Sequence, residues 1–182
     1  MSIKVKLRQL HRKITPWFFP SLLFIATTGL TYRVGRVWFG MEKETGGKVL
    51  DLHSGEWLGG HGSVVYLLLV GGALLFFIIS GLWMIFTSRR SKMKVRLTHR
   101  LAAAVVSLPL IVSAITGISL QAGEKWFNIS ESSHNLLLSL HQGTWLGKDL
   151  RAYYILLIGI GLIILCLTGL RMVIRKKSPQ KT

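Results

Sequence analysis

The sequence predicts an all-α membrane protein: a four-transmembrane-helix bundle built from two tandem, parallel helix-pair repeats. Three observations predict it: four long apolar runs, a one-sided distribution of basic residues, and self-similarity at an offset of 88 residues. Half of the 182 residues are hydrophobic and the formal charge is +16. A soluble nucleic-acid-binding domain of that charge is not dominated by apolar residues, so the expected partner is the lipid bilayer and not nucleic acid.

Crossing the hydrocarbon core as a helix takes about 20 residues at a rise of about 1.5 Å each. Runs of that length occupy 14–38, 62–87, 101–122 and 151–173. The first is too long, and too poorly followed by a small-residue cleavage site, to be a removable signal peptide. Pro16 and Pro20 fall near its expected start, where the first backbone N–H groups of a helix have no partner to lose.

Basic residues cluster in three segments. Lys4, Lys6, Arg8, Arg12 and Lys13 precede the first run. Arg89, Arg90, Lys92, Lys94, Arg96 and Arg100 fill the link between the second and third. Arg171, Arg175, Lys176, Lys177 and Lys181 accompany the end of the fourth. All seven acidic residues lie in the other two links. Segments retained in the cytoplasm carry the Lys and Arg excess, so both termini and the middle link are expected inside. The expected location is a bacterial-type inner, or thylakoid-like, membrane. Cys166 is the only cysteine and lies within the fourth run, which excludes a disulfide framework or a thiolate metal site.

Shifted by 88 residues, the sequence lies over itself without a gap, with about a third of the aligned positions identical. Arg8, His11 and Arg12 fall on Arg96, His99 and Arg100, and Thr28-Gly29 falls on Thr116-Gly117. Leu52-His53-x-Gly55-x-Trp57-Leu58-Gly59 falls on Leu140-His141-x-Gly143-x-Trp145-Leu146-Gly147. The two units are 1–90 and 91–182. Each has two spans, so both copies enter the membrane in the same orientation, related by a pseudo-twofold axis along its normal. Small residues at Thr28-Gly29, Ser80-Gly81, Thr116-Gly117 and Thr168-Gly169 suit close helix packing in lipid, and would equally admit a flat cofactor. The outer links have short amphipathic stretches with interfacial tryptophans.

Four of the six histidines form repeat pairs: His11 with His99 at the inner end of the spans, and His53 with His141 in the outer links. Two equivalent imidazoles across a symmetry axis can supply opposed ligands to one metal, and histidine is a usual axial ligand of haem iron. Each is alternatively an interfacial anchor. His61 and His134 have no repeat partner, yet His134 and His141 share one face if their segment is helical. No carboxylate lies within a span and no histidine pair has the spacing of a metal-binding helix, which favours porphyrin over a bare ion. Candidate partners for haem propionates are Arg8, Arg12, Arg96 and Arg100 inside, and Arg33, Arg36 and Lys125 outside. The C-x-x-C-H attachment motif is absent, so the expected cofactor is exchangeable haem b, two per chain.

These residues resemble the PepSY-associated transmembrane family, whose units open with R-x-L-H-R or a similar run, end an apolar helix in T-G and resume with L-H-x-G. Here the units read Arg8-Gln9-Leu10-His11-Arg12, Thr28-Gly29 and Leu52-His53-Ser54-Gly55, then Arg96-Leu97-Thr98-His99-Arg100, Thr116-Gly117 and Leu140-His141-Gln142-Gly143. The resemblance covers nearly the whole chain. Members of the iron-reductase type look like bis-histidine b-haem proteins that move electrons across the membrane. Such proteins usually carry a folded PepSY domain between the first two spans. About twenty residues fill that gap here, too few for a domain, so the roles of that domain do not carry over.

The expectation is therefore a minimal transmembrane cytochrome b, with His11 and His99 holding one haem and His53 and His141 the other. A competing arrangement places both haems near the outer face, using His61 and His134. With no glycine-rich dinucleotide fingerprint, the electron donor is expected to be a quinol, a small reductant or a redox protein. The acceptor is expected to be ferric iron, dioxygen, superoxide or another carrier. A non-redox module, such as a small permease or an assembly subunit, is the alternative, and a metal-ion transporter is disfavoured by the absence of ionisable residues deep in the spans. Topology is directly testable. After Cys166→Ser, cysteines introduced at Thr45 and Ser133 should react with an impermeant thiol reagent on intact cells, and one at Ser91 should not; the opposite pattern contradicts the orientation.

Overall fold

A computed structural model of the chain describes residues 3–87 and 94–175. The basic residues Arg89, Arg90 and Lys92, and Lys176, Lys177 and Lys181, lie outside the described residues. Six α-helices follow one another: α1 (Ile3–Trp38), α2 (Lys43–Ser54), α3 (Gly60–Thr87), α4 (Lys94–Ala122), α5 (Glu131–Gln142) and α6 (Gly147–Arg175). Four of them, α1, α3, α4 and α6, are long and apolar enough to cross a membrane. No strand occurs among the described residues.

The helices start earlier than the apolar runs. The reason is that α1 and α4 absorb the basic segments ahead of them, which are amphipathic and carry no helix-breaking residue until Pro16. Pro16 and Pro20 consequently stand well inside α1, not at its start, and Pro109 stands inside α4. Neighbouring helices and local adjustments make such prolines tolerable in a span.

Around the bundle the order is α1, α3, α4, α6, with α1 packed most closely on α6 and α3 on α4. These two contacts join different repeats, and each is the image of the other under the 88-residue shift. Gly71 of α3 receives Ile118 of α4, and Gly159 of α6 receives Leu30 of α1; a Cβ at either glycine would stand 2.7 or 2.4 Å from that side chain. Without a hydrophobic drive between helices in lipid, such knob-on-glycine contacts let the helices associate. The innermost layer is Leu22, Val70, Val106, Leu110, Ile158 and Leu162. Outward-facing apolar side chains are abundant, Trp17 and Phe86 being 81% and 82% exposed, as expected where the solvent is hydrocarbon.

Helices α2 and α5 pack on α1 and α4 respectively. The repeated L-H-x-G-x-W-L-G pattern ends each of them. Gly55 and Gly143 cap the helices in the left-handed region at φ 79° and 69°, where glycine avoids a Cβ clash. A single turn of 3₁₀ helix follows, Glu56–Leu58 or Thr144–Leu146. Gly59 and Gly147 then hold φ 79°, ψ 166° and φ 86°, ψ 174°, a region open essentially to glycine alone. The tryptophans of the pattern meet tyrosines of the next helix edge-on, Trp57 on Tyr66 and Trp145 on Tyr154, both at 6.4 Å. This hairpin directs His53 and His141 back toward the bundle.

Candidate functional site

The four repeat-paired histidines are held by one device used four times. A Ser or Thr followed by Gly lies on a spanning helix, and an imidazole from another helix of the same repeat rests on it. His53 of α2 meets Thr28-Gly29 of α1, and His141 of α5 meets Thr116-Gly117 of α4. His11 of α1 meets Ser80-Gly81 of α3, and His99 of α4 meets Thr168-Gly169 of α6. At the outer level the glycine makes room for the ring, since a Cβ would stand 2.9 Å from His53 Cε1 at Gly29 and 3.0 Å from His141 Cε1 at Gly117; at the inner level a Cβ at Gly81 or Gly169 would stand 3.9 or 3.5 Å from the His11 or His99 ring, an ordinary contact. The small residues that the sequence offers as packing or cofactor contacts thus divide: Gly71 and Gly159 pack helices, while these four face imidazoles.

The hydrogen bonds settle the tautomers. Nδ1 of His53 lies 3.0 Å from the Ile25 carbonyl, and Nδ1 of His141 lies 3.0 Å from the Ser113 carbonyl. A carbonyl only accepts, so Nδ1 carries the proton in both. At the inner level His11 Nδ1 is 2.7 Å from Ser80 Oγ and His99 Nδ1 is 2.8 Å from Thr168 Oγ1. Those hydroxyls donate their own protons to the carbonyls of Phe76 and Ile164, both at 2.6 Å. They must therefore accept from the imidazoles, which again puts the proton on Nδ1. In the neutral form each of the four histidines then has an unprotonated Nε2, the form in which a histidine binds a metal while its other nitrogen is anchored.

At the outer level the two rings come together. The centres of His53 and His141 are 6.3 Å apart with planes inclined by 53°. Two imidazoles bound to opposite sides of one metal, at about 2.0 Å per bond and about 1.1 Å from nitrogen to ring centre, have centres about 6.2 Å apart. Both rings line a cavity of ≈ 260 Å³ between the four spanning helices, walled mainly by apolar side chains and glycines. Burial and the neighbouring His53 push the His141 pKa down to about 4, against the pull of the Ser113 carbonyl. His53 is likewise lowered by burial. Both are uncharged at neutral pH.

The inner pair shares the hydroxyl cradle. His11 and His99 are half-buried and within charge-interaction range across the bundle. His11 also meets Phe77 edge-on at 5.0 Å. Arg12 and Arg100 are half-buried beside them, while Arg8 and Arg96 are exposed; Arg100 donates to the Ile85 carbonyl at 3.0 Å. His53 folds back to the level of Ile25–Gly29, some sixteen residues along α1 from His11, so the levels are about 24 Å apart. That is closer than the full bilayer thickness expected when His53 and His141 are placed in outer links.

His61 and His134 are engaged elsewhere. His61 Nδ1 accepts from Trp126 Nε1 at 3.0 Å on the exposed outer surface. His134 Nε2 is 2.9 Å from Glu124. Its segment is helical, and seven residues place it on the face of His141. They also place it about 10 Å farther along the axis. Arg33, which sequence reasoning treats as an outer cation, is buried at 7% exposure and lines the cavity, donating to Gln142 Oε1 at 3.3 Å. The spans therefore do contain a buried ionisable side chain. Arg36 is committed to the Met41 carbonyl at 2.6 Å and Lys125 to Glu56 at 3.1 Å. Gln121 bonds Glu56 and Ser63, both at 2.7 Å, and holds the Glu56 carboxyl below its usual range, with Lys125 assisting. Among the described residues no group of three or more His, Cys, Asp or Glu could hold a bare ion.

The chain matches no protein-family model, no curated protein and no solved structure. What these residues can do rests on their own geometry. The cradles hold Nδ1 of each of the four imidazoles and bring the outer two rings within 6.3 Å of each other. The cradles can be tested without any cofactor. In cofactor-free protein in detergent at neutral pH, nitrogen-15 spectra of labelled histidine should show His11, His53, His99 and His141 as Nδ1–H tautomers. Ser80→Ala should release His11 into a tautomer mixture, while Thr28→Val should leave His53 anchored by the Ile25 carbonyl. An Nε2–H tautomer at these positions in the wild type contradicts the assignment.

Proposed function

We propose that the chain is a membrane-embedded b-type cytochrome whose two haems are each held by a pair of histidines, one pair toward each face. It would move electrons across or within a bacterial-type inner membrane, with both termini in the cytoplasm. The single observation that carries this reading is the four repeat-paired imidazoles, all with Nε2 free and Nδ1 anchored, with the outer two 6.3 Å apart across an apolar cavity. The donor set fits the group. It is neutral and nitrogen-only, its outer two rings are spaced as two imidazoles on one metal would be, and it leaves a macrocycle to complete the coordination.

When bound, haem b supplies a one-electron ferric–ferrous couple. His53 and His141 hold the outer iron and His11 and His99 the inner. The hydroxyl and carbonyl partners fix each ring's tautomer and direction and raise its basicity as a ligand. The layer of Leu22, Val70, Val106, Leu110, Ile158 and Leu162 keeps water out of the bundle interior. The donor is proposed to be a quinol, a small reductant or a redox protein. The acceptor is proposed to be ferric iron, dioxygen or superoxide. The kinship with PepSY-associated iron reductases suggested by the sequence motifs has the same consequence.

A mutant series tests the pairing by level. His11→Ala or His99→Ala should remove or convert one haem and spare the other, and His53→Ala or His141→Ala should do the same to its partner. His61→Ala and His134→Ala should leave haem content and reduced spectra unchanged. A haem lost with His61 or His134, and silence at His11, would support the outer cluster instead; colourless protein from haem-replete cells would support a non-redox module.

A further inference from the structure

The two repeats differ in charge at one pair of the positions that line the outer cavity. Under the 88-residue shift Arg33 of α1 corresponds to Gln121 of α4, and both side chains line the cavity. Ser63 of α3 corresponds to Arg151 of α6. On one side of the pseudo-twofold axis, then, stands a neutral pair. Gln121 and Ser63 are hydrogen-bonded to each other at 2.7 Å, and Gln121 is tied to the Glu56 carboxylate. On the other side stands a cation, Arg33, 7% exposed, with Arg151 and the Tyr32 phenol within electrostatic reach.

Burying a guanidinium away from water is expensive unless an anion faces it. Among the described residues no carboxylate lies within ion-pair distance of Arg33, and its side-chain hydrogen bond goes to the neutral Gln142 at 3.3 Å. Glu56, a nearby acid of the outer links, belongs to the opposite side, held by Gln121 and Lys125. Among the described residues, Arg33 is thus a buried cation on a cavity wall with no carboxylate facing it. Its planar fork suits a carboxylate.

We propose that Arg33, with Arg151 beside it and Gln142 holding its guanidinium, is a carboxylate-binding site that takes the propionates of the porphyrin in the outer cavity. This rests on the haem reading. It adds that the outer haem sits lopsidedly: its carboxylates lie on the α1/α6 side, and its carbon-only edge lies toward the Gln121 side. The duplication produced two equivalent sides, and the exchange of Gln for Arg at one of them selects a single orientation for a group that is itself asymmetric.

The test uses haem and its dimethyl ester, which has the same ring and iron but no carboxylates. In the His11→Ala chain, where the outer pair remains the intact ligand pair, haem should bind more tightly than the ester by roughly tenfold to a hundredfold, as expected for charge-assisted hydrogen bonds. Arg33→Gln, which copies the residue of the other repeat, should weaken haem to the level of the ester and leave ester binding unchanged. Arg33→Lys should retain part of the preference, and circular dichroism of each variant should match the parent. Equal binding of haem and ester to the parent, or a preference that survives Arg33→Gln, overturns the carboxylate site while leaving the haem reading standing. A folded parent that takes up neither porphyrin overturns both. If Arg33→Gln does not fold, the Arg33→Lys chain and the parent's ratio decide alone.

Discussion

A buried imidazole has two nitrogens to satisfy, and the bundle depends on how it satisfies one of them. In each repeat, Nδ1 is given to a hydroxyl or carbonyl on a spanning helix where the next residue is glycine. That fixes the second span or the outer helix against its neighbour, and it leaves Nε2 out of the cradle. Both cradles of a repeat lie within that repeat: α1 with α3 and with α2, and α4 with α6 and with α5. Each repeat is therefore a module that presents one imidazole at each level, and neither module completes a pair alone. Pairing arises where the modules meet, along contacts made by Gly71 with Ile118 and Gly159 with Leu30. A cofactor bound between two such modules would be part of the interface that joins them.

Duplication explains the equivalence of the levels and also where equivalence ends. Positions with a structural duty kept their chemistry in both copies: the cradle hydroxyls and glycines, the αL caps, and the Trp–Tyr contacts. Most positions on the cavity wall did so too, but Arg33 and Gln121 differ in charge. His11 touches Phe77, whereas the corresponding neighbour of His99 is Leu165. A membrane interior penalises unpaired charge, so an isolated substitution of Gln by Arg persists there most readily where something anionic answers it.

Much of the architecture was legible from residue pattern because the physics is local. The spans followed from apolar length, the two units from self-similarity, and the amphipathic α2 and α5 from the mixed composition of the outer links. Helix starts were less legible: nothing in the basic segments stops a helix, so α1 and α4 begin well before hydrophobicity rises. The position of His53 and His141 was hidden because link residues can fold back, and only the paired glycines of L-H-x-G-x-W-L-G hint at the reversal. The meaning of the Ser/Thr-Gly pairs was hidden for a related reason. A hydroxyl beside a glycine suits helix packing and ring binding equally, and partners 25 or 69 residues away are fixed only by the tertiary fold. One signal could have separated the two: four such pairs recur for four repeated histidines. His61 and His134, by contrast, lack repeat mates and bond instead to Trp126 and Glu124.

The central claim is that two opposed pairs of neutral imidazoles exist to hold two low-spin irons. The most direct measurement is electron paramagnetic resonance of the oxidised wild-type protein, purified from haem-replete cells, together with its extractable haem. The account predicts close to two haems per chain and two low-spin ferric signals of the bis-imidazole type. Folded protein without iron porphyrin, or with a single haem at an open, high-spin coordination site, would contradict it.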